Sequence, residues 1–392
     1  MAIYGIIAEY NPFHNGHLYQ INAIKQNDPD AKIVVAMSPN VVQRGNFALF
    51  DKWTRARAAL VCGADLVLEI PSTFALATAE RFAFGGVSVL DAVGVDRLCF
   101  GSESGNLQAL TDAVVLLENA EVKKKLKRYL SEGNTFAKAR SLAVKEKNEA
   151  AAECLNNPND ILAVEYIKAI AKLGAKIEPY PVLRKSVEHL SESPSGVFAS
   201  ASYIREHLSE QSLMDFTPAP ASEFFKAELK GGGFSNGLKS LETALVLKLR
   251  TMSKEQIAAL FDVSEGLENR IWRAAREKSD LDSLCDEIKT KRYTMARIRR
   301  ILMYALLDFT KDKMTDSLPY IRVLGHNGRG LEIVSRKSAK LPVITSLSKA
   351  RAISEEAKIF ADLEEKVSGV FALTLQNKEI AKNEFSTPTI RL

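Results

Sequence analysis

An apolar run rich in β-branched residues, Ala2 to Ala8 with Ile3, Ile6 and Ile7, stops abruptly at Tyr10-Asn11-Pro12-Phe13-His14-Asn15-Gly16-His17. Beyond that turn, Leu18, Ile21 and Ile24 recur at helical spacing. The run has the pattern of a strand covered on both faces, and the later spacing that of a helix packed on it. Pro12 fits inside neither element, so the turn is pinned between them. A helix starting there points unpaired N–H groups and the positive end of its dipole into the loop, which makes an anion site before any side chain is considered. Gly16 lets the backbone approach a ligand. His14 and His17, three apart, lie on one side of the first turn as hydrogen-bond donors for phosphate oxygens.

The strand, the His14-Asn15-Gly16-His17 turn and the helix resemble the ATP signature of the HIGH-motif nucleotidyltransferase superfamily, which includes class I aminoacyl-tRNA synthetases and small-molecule adenylyltransferases. The longer text Ile6-Ile7-Ala8-Glu9-Tyr10-Asn11-Pro12-Phe13-His14-Asn15-Gly16-His17 is similar to the bacterial tRNA(Met) cytidine acetate ligase family. The resemblance implies activation of acetate with ATP to acetyl-adenylate, with Mg2+ assisting, and acetylation of N4 of the wobble cytidine of elongator tRNA(Met). It also implies that the stretch Ile7, Ala8, Glu9, Tyr10, Asn11, Pro12, Phe13, His14, Asn15, Gly16, His17, Leu18, Tyr19 and Gln20 binds ATP, together with Gly101, Asn159 and Arg184.

The remaining strands support a parallel sheet. Lys32 to Met37, Ala64 to Ile70, Asp96 to Phe100 and Lys176 to Leu183 are short strand patterns separated by helical ones, the order of a Rossmann-like α/β domain. Such sheets bind ligands past the carboxyl ends of their strands, where Gly101 and Arg184 fall. Gln43-Arg44-Gly45 follows the second strand and faces the triphosphate or the RNA, or is a polar surface loop; the residues leave this open. Asn159 reads as the N-cap of a helix spanning Ile161 to Leu173. Gly196 to Leu208 includes Ser200, Ser202 and Arg205 at a helix start, and resembles the Ser/Thr-x-Ile-Arg motif that closes the triphosphate site in adenylyltransferases. With His14 and His17 these form the expected catalytic set. The lysine-rich loop of synthetases is missing here, which argues against a synthetase. His189 is a further candidate donor.

At 392 residues the chain predicts two domains, a catalytic one over 1–215 and a mainly helical tRNA-binding one over 222–392, split at the proline-containing Phe216 to Ala221. In the second, Lys289, Lys291, Arg292, Arg297, Arg299 and Arg300 form a basic segment with no acid among them, and Tyr293 interleaves as a stacking residue. Lys123-Lys124-Lys125 and Lys127-Arg128 form a second basic run, a solvated face or an RNA contact. Gly328-Arg329-Gly330 reads as a flexible loop. The net charge of +5 is compatible with an RNA partner without requiring one.

No apolar stretch is long enough to span a bilayer and no signal peptide is apparent, so a cytoplasmic enzyme without membrane contact is expected. No protein partner is implied. Cys62, Cys99, Cys154 and Cys285 lack Cys-x-x-Cys spacing and read as reduced thiols, with neither a zinc site nor any other protein-bound metal indicated. Two alternatives keep the same first domain: a small-molecule adenylyltransferase or acetate-activating ligase with a non-RNA acceptor, and an RNA-binding protein with an inactive nucleotide site.

Overall fold

Burial on both faces decides where the strands sit. All six residues of Lys32–Met37 are buried, as a central strand requires, and the apolar runs on either side of it in sequence pair with it or beside it. The computed structural model describes residues 1–184, 194–264, 266–290, 293–335 and 339–392. Its strands are β1 (Ile3–Ala8), β2 (Lys32–Met37), β3 (Val41–Val42), β4 (Asn46–Phe47), β5 (Leu66–Glu69), β6 (Arg97–Ser102), β7 (Glu178–Leu183), β8 (Ile321–His326), β9 (Val343–Ile344) and β10 (Ile390–Arg391).

The main sheet runs β10-β8-β5-β2-β1-β6-β7, with β9 paired to β8. From β1 the chain steps outward through β2 to β5, then returns to the other side of β1 for β6 and β7. All of these pairs are parallel. The order therefore reverses between β1 and β6, and the carboxyl ends of those two strands flank the crevice that doubly wound sheets use for nucleotides. The mixed α/β class and the parallel core agree with the sequence reading.

The expected split at Phe216–Ala221 does not separate two layers. That stretch joins the helices Glu210–Phe216 and Ala219–Gly231, and the chain beyond it re-enters the first sheet. β8 pairs antiparallel with β5, and β10 lies parallel to β8. Burying that edge removes an unpaired strand border. A buried charge cluster crosses the same seam. Lys52 pairs with Glu69 and Glu384, and Arg322 Nη1 lies 3.1 Å from Glu69 Oε2 and 2.5 Å from Glu384 Oε2. Charges removed from water demand such pairing. Helix Glu355–Thr374 adds Glu364, which accepts from Ser72 N at 2.5 Å and Ser72 Oγ at 2.6 Å.

Gly328-Arg329-Gly330 is not a loop but the start of helix Gly328–Val334, capped by Asn327, whose side chain accepts from Gly330 N. A Cβ on Gly330 would sit 1.9 Å from Asp65 O, so the glycine is there for close packing. All four cysteines are free and buried, and burial pushes the Cys62 and Cys99 thiols up to about 12.

Candidate active site

The turn after β1 is fixed from beneath by a buried arginine. Arg55, on helix Lys52–Val61, donates from Nε to Phe50 O at 2.9 Å, from Nη1 to Glu9 O at 2.5 Å and Ser38 O at 3.1 Å, and from Nη2 to Pro39 O. It ties the turns after β1 and β2 together. Asn11 adds a second tether by accepting from Leu49 N at 2.7 Å, and Tyr10 turns the chain with φ 48°.

Helix Asn15–Asn27 then starts with a reciprocal cap built from imidazoles. His14 Nδ1 accepts from Gly16 N at 3.1 Å, and His17 Nδ1 accepts from His14 N at 3.1 Å. This is a capping box with histidines in place of the usual hydroxyl and carboxylate. A ring nitrogen that accepts an N–H carries no proton, so both rings are neutral and protonated on Nε2, the donor that phosphate needs. The rings stack with centroids 3.7 Å apart. Burial, His14 and Arg184 hold the His17 pKa well below the ordinary histidine range. A Cβ on Gly16 would lie 2.9 Å from His14 Cε1, so any side chain there would displace the capping ring.

Two connected compartments open at this helix start. Toward β6 and β7, the cavity is walled by Gly16, Tyr19, Gln20, Phe100, Gly101, Val182, Leu183 and Phe198. Gln20 Nε2 donates to Cys99 O at 3.1 Å, and a Cβ on Gly101 would press on Arg184 Cγ at 3.3 Å. A cavity lined by both apolar and polar groups, with the Gly101 backbone nearby, suits a base and sugar. The other compartment has an apolar side of Ile7, Phe82, Leu162 and Tyr166 and a polar side of Glu9, Tyr10, Asn11, Arg44, Ser200, Ser202 and Arg205. Ile7, His14, His17, Asn159, Leu162, Tyr166 and Arg184 border both.

The polar side is tightly organised. Ser200 caps helix Ala201–Glu206 by accepting from Tyr203 N at 3.1 Å. Arg205 Nη1 donates to Asn11 O at 2.7 Å and Nη2 to Ser202 Oγ at 3.1 Å, tying the second motif to the first. Burial lowers the Arg205 pKa, Glu9 opposes that shift and Arg44 adds to it. A cavity that holds cations against one another is built for an anion.

Several expectations need correction. Within the stretch from Ile7 to Gln20, Ala8, Pro12, Phe13, Asn15 and Leu18 do not reach the cavity walls. Phe13 is core, Ala8 and Leu18 pack against that core, Pro12 is buried, and Asn15 Nδ2 donates to Val197 O at 2.7 Å. Asn159 is not the cap; Asn157 is, with Pro158 in the first helical position. Asn159 Nδ2 instead donates to Glu103 Oε1 at 2.5 Å, and its Oδ1 accepts from Arg184 at 3.4 Å. Glu103 also accepts from the backbone N of Asn159 and Asp160, so a carboxylate already occupies that helix start. The sequence does not mark Arg55, Glu103 and Tyr166 as site residues; Arg44 is within the Gln43-Arg44-Gly45 turn, which the residues leave open between the triphosphate, the RNA and a polar surface loop, and it lines the second compartment.

The basic segment faces inward more than expected. Arg297 pairs with Asp262 at 3.1 Å, and Arg300 is buried with Nη2 3.8 Å from the same carboxylate, so an acid outside the segment engages both. Tyr293 is 5% exposed and lies under the Arg297 guanidinium, closed to stacking with a base. Arg299 is half-buried and Lys289 exposed, while Lys291, Arg292 and His189 lie outside the described residues. In the other run, Lys123, Lys125 and Arg128 pair with Glu118, Glu146 and Glu132, the pattern of a solvated face.

The geometry is matched by what the chain is similar to. The family model described as HIGH Nucleotidyl Transferase matches residues 1–385. A tRNA(Met) cytidine acetate ligase of Thermoanaerobacter sp. (strain X514) is 41% identical over 408 residues, covering 100% of both chains. One of Caldicellulosiruptor saccharolyticus is 40% identical, covering 95% of this chain and 94% of its own. Among solved structures, Thermotoga maritima TmcAL in an apo form superposes with TM-score 0.93 at 33% identity. The same protein bound with alpha-thio ATP gives 0.91 at 32%, and both cover 100% of each chain.

Proposed function

The chain belongs to the tRNA(Met) cytidine acetate ligase family of HIGH nucleotidyltransferases, and from that premise we propose that it activates acetate with ATP and acetylates N4 of the wobble cytidine of elongator tRNA(Met). The observation that carries this reading is the imidazole capping box at the β1/β6 crevice: two neutral rings whose Nδ1 atoms are committed to backbone, joined through Asn11 to Arg205.

In the first step an acetate oxygen attacks the α-phosphorus in line. The bond from that phosphorus to the bridging oxygen breaks, and pyrophosphate leaves with the electron pair. His14 and His17 donate from Nε2 to the α-phosphate oxygens as charge shifts, and Ser200, Ser202 and Arg205 take up the charge of the leaving group. In the second step the cytidine N4 attacks the acetyl carbonyl carbon, the C–O bond to AMP breaks with the electron pair going to the AMP phosphate, and the N4 proton passes to solvent. No covalent enzyme intermediate is required.

Gly101 and Gln20 border the space for the nucleoside, and the apolar wall of Ile7, Leu162 and Tyr166 shared by the two compartments, extended by Phe82, suits a methyl group. Magnesium enters this reading as a partner of the triphosphate, whose β- and γ-oxygens it neutralises in phosphoryl transfer. For the RNA, exposed Lys289 remains a backbone contact, while Arg297 and Arg300 serve the fold. No described helix is long and apolar enough to cross a membrane. A tRNA substrate supports a cytoplasmic reaction.

The test is pyrophosphate release from ATP with and without acetate and total bacterial tRNA, followed by mass analysis of the tRNA nucleosides. Acetate-dependent release with N4-acetylcytidine is expected. Release without modified tRNA would move the acceptor to a small molecule or a protein thiol, and no release in any mixture would sink the enzyme reading.

A further inference from the structure

The hairpin of β3 and β4 carries Gln43-Arg44-Gly45 at its tip, past the carboxyl end of the strand next to β1. It is held from both sides. Glu9 Oε1 accepts from Gln43 N at 2.8 Å on the side of the β1 turn. On the other side the tip rests on helix Met295–Leu307. Gly45 has φ +78°, and a Cβ there would lie 2.5 Å from Arg300 N and 2.6 Å from Arg299 C. Only glycine permits that approach, on both counts. Arg300 Nη1 reaches back to Gln43 O at 3.4 Å. The buried part of the basic segment therefore braces this tip.

With its neighbours fixed, Arg44 has a defined outlet. Its side chain is exposed and lines the second compartment with Asn11, His14, His17, Ser202 and Arg205. This is the part of the site away from Gly101 and Val182, the direction in which a triphosphate runs once its nucleoside lies beside β6. Arg44 and Arg205 are close enough for Arg44 to oppose the charge on Arg205, which Glu9 on the same walls favours. Two guanidinium groups gathered at one wall are stabilised by a polyanion between them.

We propose that Arg44 is a second phosphate-binding arginine of this site, acting with Arg205 on the β- and γ-phosphates of ATP that depart as pyrophosphate. The assignment rests on the ATP-site reading above. It answers for one residue whether the Gln43-Arg44-Gly45 turn serves the nucleotide or the RNA. An exposed position at the mouth suits a group that must release its ligand each turnover.

Calorimetric titration of the full chain with ATP and with AMP tests this in the wild type, Arg44→Ala and Arg44→Lys. Arg44→Ala should weaken ATP at least ~10-fold, the lower end for a lost charged hydrogen bond, and leave AMP within about twofold. Arg44→Lys should fall between, keeping the charge without the fork. In acetate-dependent pyrophosphate release, Arg44→Ala should raise the KM for ATP. Unchanged ATP affinity overturns the proposal, and if tRNA acetylation is then lost, Arg44 belongs to the RNA. Equal weakening of ATP and AMP also overturns it, because that reports a distorted cavity. Wild-type protein that binds ATP yet releases no pyrophosphate with acetate would sink the ligase reading while leaving the ATP-against-AMP comparison intact.

Discussion

At the scale of residues, the two histidines do structural and chemical work with different ring nitrogens. Nδ1 caps the helix and thereby fixes the tautomer that puts a proton on Nε2. His14→Ala or His17→Ala should each slow acetate-dependent pyrophosphate release by roughly 10²- to 10³-fold, the usual cost of losing one aimed donor. The double variant should lose much less than the product, since each ring positions the other. Near-additive losses in the double variant would contradict this coupling. A pH effect follows from the same burial. The native His17 resists protonation below the ordinary 6.5, while the unfolded chain accepts it, so the unfolded state binds more protons in that window. Stability from this group is fully present above 6.5 and lost as pH falls. Urea midpoints should drop more from about pH 7.5 to about pH 5.5 in the wild type than in His17→Asn, whose amide does not titrate; parallel curves would refute it. The pair was legible from the sequence because turn and periodicity are local signals. Arg55 was not, since a buried guanidinium and a solvated one look alike in a sequence, and for Arg44 the sequence left nucleotide, RNA and plain surface open.

At the scale of elements, what matters is how the turns after β1 and β2 are held in register. One side chain, Arg55, supplies donors to four backbone carbonyls from those turns and the start of its own helix. Arg55→Met keeps the volume and strands those carbonyls without donors. Each orphaned buried group costs about 1–3 kcal/mol, so a loss of about 3 kcal/mol or more in urea unfolding is expected. Acetate-dependent release should fall with it in the fraction still folded, because the Glu9 carbonyl sits at the root of the histidine turn. A variant within about 1 kcal/mol of wild type would show that water replaces the arginine. The strands of the first half were readable from apolar runs, including β7 despite its two prolines, which an edge position tolerates. The β3–β4 hairpin was not, because a two-residue strand has no period to detect. Asn159 was misplaced by two positions since Pro158 starts the helix and shifts the cap to Asn157.

At the scale of the whole molecule, the first sheet is incomplete without the last third of the chain. Nothing in the Tyr320 to Asn327 run states which edge it joins, so a strand that completes the catalytic sheet read as part of a separate helical domain. Its arrival buries Arg322 beside Glu69 and brings in Glu384, and the helix behind it brings Glu364. These carboxyls have opposite fates. Burial pushes Glu384 up, but Lys52 and Arg322 outweigh it and hold it well below the usual range. Burial and neighbouring Glu69 push Glu364 up to about 8, past what Lys52 and Ser72 can offset. At neutral pH Glu364 is therefore protonated in the native state and ionised in the unfolded chain, which has the ordinary value of 4.5. The native state binds the extra proton between those values, so the stability this group contributes is fully present below 4.5 and lost as pH rises toward 8. Glu384 acts in the other direction, its contribution being present above 4.5 and lost as pH falls. Glu364→Gln keeps a neutral hydrogen-bonding amide and cannot ionise. The variant should gain on the wild type steadily as pH is raised from about 5 to about 8, read as diverging urea midpoints, with Glu364→Asp retaining the wild-type slope. Parallel profiles for the wild type and Glu364→Gln would mean that the carboxyl is ionised in the native seam, so that the cluster joining the two halves carries one more negative charge than its cations can pair.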